Sequence, residues 1–283
     1  DGRLIVTGNR DGEIRYWDYE GRVLNQLRAR PGTVHHIAFS PDGRFILTAI
    51  GRVVDLWTRE GELYQTIEEA SSQAVKQIAV APEGGYFITI DVHDHHAHVW
   101  DLRGNAHFVL SGHTDKITYV AISPDSQLIA TCSADRYIIL WDRKGKKLRQ
   151  FAAHNEAVTQ VRFAPDGRSF ATVSKDNMAI LWNRQGKRLC VLTGHRENVN
   201  KVLFSPDGSF LLTTSNDRTA RMWSREGAMI KVLSGHQGRL SDAVFLTGGE
   251  RIATVSSDHT LRFWNVKHRE VVDAMRAEDP EIE

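Results

Sequence analysis

Cysteine is almost missing from this 283-residue chain, which has only Cys132 and Cys190, far apart in sequence. That excludes a disulfide-stapled scaffold, and no Asn opens an Asn-x-Ser/Thr sequon, so a reducing compartment, the cytoplasm, is the expected location. Long apolar runs are missing as well: none approaches the ~20 residues that cross a bilayer. Asp1-Gly2-Arg3 does not read as a signal peptide, so no membrane contact is expected. There is no excess of either charge. Thirty-six Lys+Arg stand against 35 Asp+Glu, a net charge of +1, and no bulk field holds the chain on nucleic acid. Enzyme signatures are absent too: no Gly-x-Ser-x-Gly, no phosphate loop, no His-Glu-x-x-His, no Cys-x-x-Cys and no dinucleotide glycine triplet. The chain is therefore expected to be no enzyme and to need no cofactor. What it does have is 41% hydrophobic residues, enough to bury a large core in one all-β domain.

It also has a repeat. The seven tryptophans are Trp17, Trp57, Trp100, Trp141, Trp182, Trp223 and Trp264, at successive gaps of 40, 43, 41, 41, 41 and 41 residues. Six have an Asp six residues earlier, with Gly51 the exception, and six have a Gly four residues later. Each repeat holds four short segments, a to d. Around Trp182 they are Val158 to Phe163, Ser169 to Ser174, Met178 to Trp182 and Arg188 to Leu192, rich in β-branched and aromatic residues and bounded by turn residues. Helices of ten or more residues do not fit between such turns. Four strands every ~40 residues predict a seven-bladed β-propeller of four-stranded antiparallel blades.

The recurring words Gly112-His113, Ser123-Pro124-Asp125, Ser133-Ala134-Asp135 and Trp141-Asp142 resemble the Trp-Asp (WD) repeat propellers over the whole chain. Leu181-Trp182-Asn183-Arg184-Gln185-Gly186-Lys187 and the even spacing are similar to bacterial, particularly cyanobacterial-type, repeat proteins.

Four repeats carry His, Ser, Asp and Trp at fixed offsets. They are His113/Ser133/Asp135/Trp141, His154/Ser174/Asp176/Trp182, His195/Ser215/Asp217/Trp223 and His236/Ser256/Asp258/Trp264. Ser, His and Asp together invite a hydrolase reading, but a catalytic set occurs once per domain and this one occurs four times. The resemblance implies a structural tetrad, a hydrogen-bonded chain from Trp through Ser and His to Asp, which ties strands b and c to the loop leading into strand a. Buried polar groups in a β-core must be paired in this way. The first three repeats depart: Ala29 stands at the second repeat's His position, no His lies in Ala70 to Gln73, and the Ser position holds Asn9, Ala49 and Val92. Looser ties and earlier local opening are expected there.

Gly2 lies 15 residues before Trp17, as Gly167 does before Trp182, so the first blade lacks its innermost strand within the chain and 27 strands are expected. Residues 1–276 are assigned to the propeller and 277–283 to an acidic tail, with Glu270 to Met275 as the last outer strand. The cluster Asp91-Val92-His93-Asp94-His95-His96-Ala97-His98 has zinc- or copper-ligand chemistry, but it fits better as an exposed b–c hairpin, and no metal site is expected. Trp100-Asp101-Leu102-Arg103 looks like the Trp-Asp-x-Arg signature of adaptor docking, though basic c–d turns recur throughout the chain.

The expected function is a non-catalytic scaffold that binds peptides or proteins at the end of the blades where strand a begins and the b–c turns lie. The candidate contacts there are Arg10, His35, Lys76, His93, Lys116, Lys175, Asn198, Asn216 and Arg239. The nineteen positions placed at that end by register include no Asp or Glu, which predicts acidic or phosphorylated partners. The alternative is a sensor or regulatory module fused, upstream of Asp1, to a nucleotidase or kinase.

Overall fold

The computed structural model describes residues 4–246 and 249–266. All of the regular structure there is β. The first sheet holds β1 (Ile5–Gly8), β2 (Glu13–Trp17) and β3 (Val23–Arg28). The second holds β4 (Val34–Phe39), β5 (Phe45–Ile50), β6 (Val53–Thr58) and β7 (Leu63–Ile67), and the third β8 (Val75–Val80), β9 (Tyr86–Asp91), β10 (His96–Asp101) and β11 (Ala106–Ser111). The fourth holds β12 (Ile117–Ile122), β13 (Leu128–Ser133), β14 (Tyr137–Asp142) and β15 (Lys147–Ala152); the fifth holds β16 (Val158–Phe163), β17 (Ser169–Ser174), β18 (Ala179–Asn183) and β19 (Arg188–Leu192). β20 (Val199–Phe204), β21 (Phe210–Ser215), β22 (Thr219–Ser224) and β23 (Met229–Ser234) form the sixth, and β24 (Leu240–Phe245), β25 (Arg251–Ser256) and β26 (Leu261–Asn265) the seventh. Each is an antiparallel meander in chain order, the blade set of a seven-bladed β-propeller. The first sheet has three strands, as the residue count before Trp17 predicts. The twenty-seventh strand, expected at Glu270 to Met275, and the tail lie outside the described residues.

Two compact units divide the described residues: 4–133 with 139–148, and 134–138 with 149–246 and 249–266. In each, sheets pack face to face. In the first, Ile88, Ile90, Ala97 and Val99 of the third sheet meet Ile117, Val120 and Trp141 of the fourth. Leu47, Val54 and Leu56 of the second meet Val75, Ile78 and Phe87 of the third. In the second unit Ala171, Val173 and Leu181 pack on Val199, Val202 and Phe204. Strand b is covered on both faces, which explains its continuous apolar run: every residue of β9, β17 and β21 is buried.

Strand a has a feature that hydrophobic patterning does not show. Its pairing with strand b slips by one residue at the same place in all six sheets that have it, between Val34 and His36, Val75 and Gln77, Ile117 and Tyr119, Val158 and Gln160, Val199 and Lys201, and Leu240 and Asp242. A β-bulge inserts one unpaired residue and re-aims its side chain. Those residues are His35, Lys76, Thr118, Thr159, Asn200 and Ser241.

Candidate functional site

The register of strands b and c builds the polar chain. Trp182 pairs with Phe170, Trp223 with Leu211 and Trp264 with Ile252, so the residue two further along strand b is the diagonal neighbour on the same face. That residue is Thr in every repeat. The indole N–H donates to Thr Oγ1 from Trp141 to Thr131 at 2.9 Å, Trp182 to Thr172 at 2.9 Å, Trp223 to Thr213 at 2.8 Å and Trp264 to Thr254 at 2.8 Å. The same hydroxyl lies 2.8 to 2.9 Å from Nε2 of His113, His154, His195 and His236. Nδ1 of His154, His195 and His236 then meets the carboxylates of Asp176, Asp217 and Asp258 at 2.8 to 2.9 Å. An indole N–H only donates and a carboxylate only accepts, so each Thr accepts from its Trp, and Nδ1–H of His154, His195 and His236 donates to Asp176, Asp217 and Asp258.

The expected chain from Trp through Ser is therefore corrected in its middle link. The hydroxyl between Trp and His is Thr131, Thr172, Thr213 or Thr254, all fully buried. The serines serve a neighbouring tie: Ser133, Ser174 and Ser215 donate to the carbonyls of Asp115, Glu156 and Glu197 in the loop leading into strand a. Ser174, Ser215 and Ser256 also accept the backbone N–H of Asp176, Asp217 and Asp258. A strand's side chains alternate between faces, so a residue two before Ser shares its face and lies nearer the Trp. The signal was in the sequence, since Thr stands ten residues before Trp in five repeats and nine or eleven before it at Thr48 and Thr89, where the b–c turn is one residue shorter or longer.

Burial pushes the Asp176 carboxyl up, but the hydrogen bond from His154 and the backbone N–H groups of Asn155 and Met178 outweigh it and hold the group below the ordinary carboxylate range. Asp217 is lowered in the same way, its burial outweighed by His195 and Thr219. Asp258 is lowered chiefly by the Thr260 hydroxyl. The Ser–His contact of a hydrolase triad is not the one formed: Nε2 meets the fully buried Thr131, Thr172, Thr213 or Thr254.

The first three repeats hold ties of other chemistry. Trp17, Trp57 and Trp100 donate to Thr7, Thr48 and Thr89 at 2.8, 2.9 and 3.0 Å. In the second sheet, Arg30 donates Nε and Nη2 to the buried Asp55 at 3.1 and 2.9 Å, and Thr66 adds a third bond at 2.7 Å. In the third, Thr89 donates to the Ala70 carbonyl, and the buried Asp91 accepts from Ser71 Oγ, Ser72 Oγ and the backbone N–H groups of Gln73, His93 and Asp94. Burial raises that carboxyl, but the bonds from His93, Ser71, Asp94 and Ser72 outweigh it and hold the group below its ordinary range. In the histidine-rich hairpin, His96 Nδ1 and His98 Nε2 both reach Asp94, at 2.7 and 3.3 Å. Among the described residues, no group of three or more His, Cys, Asp or Glu side chains is placed to hold a metal ion.

The candidate contact residues divide into two kinds. In the first unit Arg10, His35, Lys76, His93 and Lys116 are exposed, and in the second Lys175 and Arg239 are exposed while Asn198 and Asn216 are half-buried. Lys76 spends its ammonium on the Thr118 carbonyl at 2.7 Å, and Asn216 Oδ1 accepts from Asn200 at 2.8 Å. These two act as ties. Bulged residues join neighbouring strands a elsewhere too: Thr159 donates to the Val199 carbonyl at 2.7 Å, and Asn200 to that of Leu240 at 2.9 Å.

The repeated sheets with their shared Trp–Thr pair define the WD-repeat β-propeller class. The chain belongs to the family described as IFT122 first beta-propeller, whose profile matches residues 89–282; the WD domain, G-beta repeat profile matches residues 1–18 and 21–52. Among curated proteins it is similar to cilia- and flagella-associated protein 52 of Mus musculus, 30% identical over 137 residues that make up 47% of this chain and 22% of that protein. It is 27% identical over 139 residues to the WD repeat-containing protein srw1 of Schizosaccharomyces pombe, covering 47% and 25% of the two chains. With the WD repeat-containing protein RUP1 of Arabidopsis thaliana it shares 29% over 143 residues, 47% and 37% of the two. The matched part is thus well under half the length of these relatives. They come from animals, a fungus and a plant and give no support to a bacterial or cyanobacterial-type resemblance.

Proposed function

We propose that the chain is a non-catalytic protein-interaction scaffold that holds acidic or phosphorylated segments at the ends of its sheets where strand a begins and the b–c turns lie. One observation carries this reading. Arg10, His35, His93 and Lys116 in the first unit, and Lys175 and Arg239 in the second, are exposed, and among the described residues none of their side chains makes an ion pair. Other cations are paired or bonded inward, as Arg30 is with Asp55, Arg225 with Asp166 and Lys76 with the Thr118 carbonyl. Bulges and buried Asp side chains fix the backbone beneath the unpaired ones, so they are displayed from a stiff frame. Glu69, Asp115, Glu156 and Glu197 are also exposed in these loops. Recognition therefore rests on individual charge-assisted contacts rather than on a broad field. The test is fluorescence anisotropy of an acidic peptide and its phosphorylated form against salt, with Lys116→Glu and Arg239→Glu variants. Weaker binding in high salt and in at least one variant is expected; affinity indifferent to salt and to both variants sinks the reading.

A further inference from the structure

A cleft of about 390 Å³ opens in the first unit, at the opposite end of the third and fourth sheets from the positions above. Its floor is Tyr86, Val99 and Phe108, and its exposed rim carries Arg143, Lys144, His107 and Glu83. A similar cleft of about 320 Å³, lined by Tyr16, Leu24 and Arg59, lies at the equivalent place of the first and second sheets, whereas between the fifth and sixth sheets, in the second unit, the corresponding arginine is bonded inward. There Arg225, two residues after Trp223, donates to the Gly208 carbonyl at 3.0 Å and to Ser169 Oγ at 2.9 Å. Arg184, two after Trp182, likewise donates to the Gly167 carbonyl at 2.9 Å.

Arg143 holds the same position after Trp141, and its matching carbonyl is that of Ser126. That carbonyl already accepts the Tyr86 hydroxyl at 3.3 Å. Tyr86 pairs with Asp101 as Ser169 pairs with Asn183, so a phenol stands where the fifth sheet has a serine. The long side chain reaches across the junction to the carbonyl whose counterparts Arg184 and Arg225 meet in the second unit. Arg143 is left half-exposed with Glu83 as its neighbour at 3.9 Å. Phe108 forms the other wall and lies against Gly145, where a Cβ would come within 2.5 Å of its ring.

We infer that this cleft is a docking site for a protein segment that inserts an aromatic side chain flanked by a carboxylate. Two aromatic walls suit an aromatic guest in tilted or edge-on contact. The mouth has two permanent cations, Arg143 and Lys144, against the single carboxylate of Glu83, so the guest's flank must be negative. A small molecule would leave too much of itself in water, since such sites bury most of their ligand and this rim is open. The cleft is separate from the proposed surface at the other end of the sheets and does not depend on it.

The experiment is a peptide-display library selected on the intact chain and depleted on Arg143→Glu/Lys144→Glu. The expected survivors share an aromatic residue beside Asp or Glu. A synthetic survivor should bind about tenfold more weakly to the double variant and to Lys144→Glu by a smaller factor, and its aromatic→Ala version should lose binding, with the variants' melting temperatures unchanged. If depletion leaves nothing, or the survivors lack the aromatic–acid pair, the inference is overturned. Should the double variant melt early, Lys144→Glu alone serves for the depletion and is read the same way.

Discussion

Replacing Thr213 by Val isolates the middle link of the polar chain. Valine keeps the shape and the β-branch but loses the hydroxyl that accepts from Trp223 Nε1 and bonds His195 Nε2, both at 2.8 Å. Thr213 is fully buried, so water cannot take over either bond. Two orphaned polar groups cost about 1–3 kcal/mol each, and since they belong to one network the expected total is about 2–4 kcal/mol. The first repeat supplies an internal control. Thr7 accepts from Trp17 Nε1 at the same 2.8 Å but is exposed, so Thr7→Val should cost no more than about 0.5 kcal/mol. Urea unfolding followed by tryptophan fluorescence and by circular dichroism measures both variants, and coincident transitions license the comparison. Equal effects of the two substitutions, or a cost below about 1 kcal/mol for Thr213→Val, would refute the assignment of threonine as the link.

His195→Ala should cost about 1–3 kcal/mol by the same reasoning while affinity for an acidic peptide stays unchanged; an unaltered unfolding curve would remove the structural role of the imidazole. The carboxyls of Asp176, Asp217 and Asp258 sit below their ordinary value of 3.8 when folded, so their contribution to stability is complete above about pH 4 and is lost as pH falls through the lower folded values. The urea midpoint should therefore drop steeply below about pH 4, with a shallower drop in Asp217→Asn, and equal slopes would count against it. Gln77 clamps the next strand through its amide, accepting from Val120 N–H at 3.0 Å and donating to Val120 C=O at 2.9 Å. Gln77→Leu should cost about 1–3 kcal/mol and speed hydrogen exchange at the Val120 amide, whereas unchanged exchange would show that the clamp is dispensable. Arg30→Met strands the buried Asp55 with only Thr66, and because Arg30 is itself partly exposed a loss of about 1–3 kcal/mol is expected in a melting curve.

The spacing of seven tryptophans, with turn residues in phase, was enough to determine the number of sheets, their antiparallel order and the missing strand of the first. Those features follow from local chemistry repeated at a fixed period. Strands b and c of the Trp182 repeat were legible within one residue because the turns that bound them are themselves sequence-specific. The polar partners were half legible. His and Asp stand out as rare residues at constant offsets, but Thr172 was passed over for Ser174, since which of two hydroxyls faces the indole depends on strand register and on a diagonal across it. Asp91, Arg30 and Asp55 follow no repeat offset; their partners come from loops 18 to 25 residues away, and only folding brings them together. The bulge that lifts His35 and turns Lys76 toward the next strand is a slip in pairing, which hydrophobic alternation does not record. The cleft beside Arg143 belongs wholly to tertiary structure: a tyrosine on one sheet bonds a carbonyl on its neighbour, and Arg143 and Lys144 of the next c–d turn stand at the mouth.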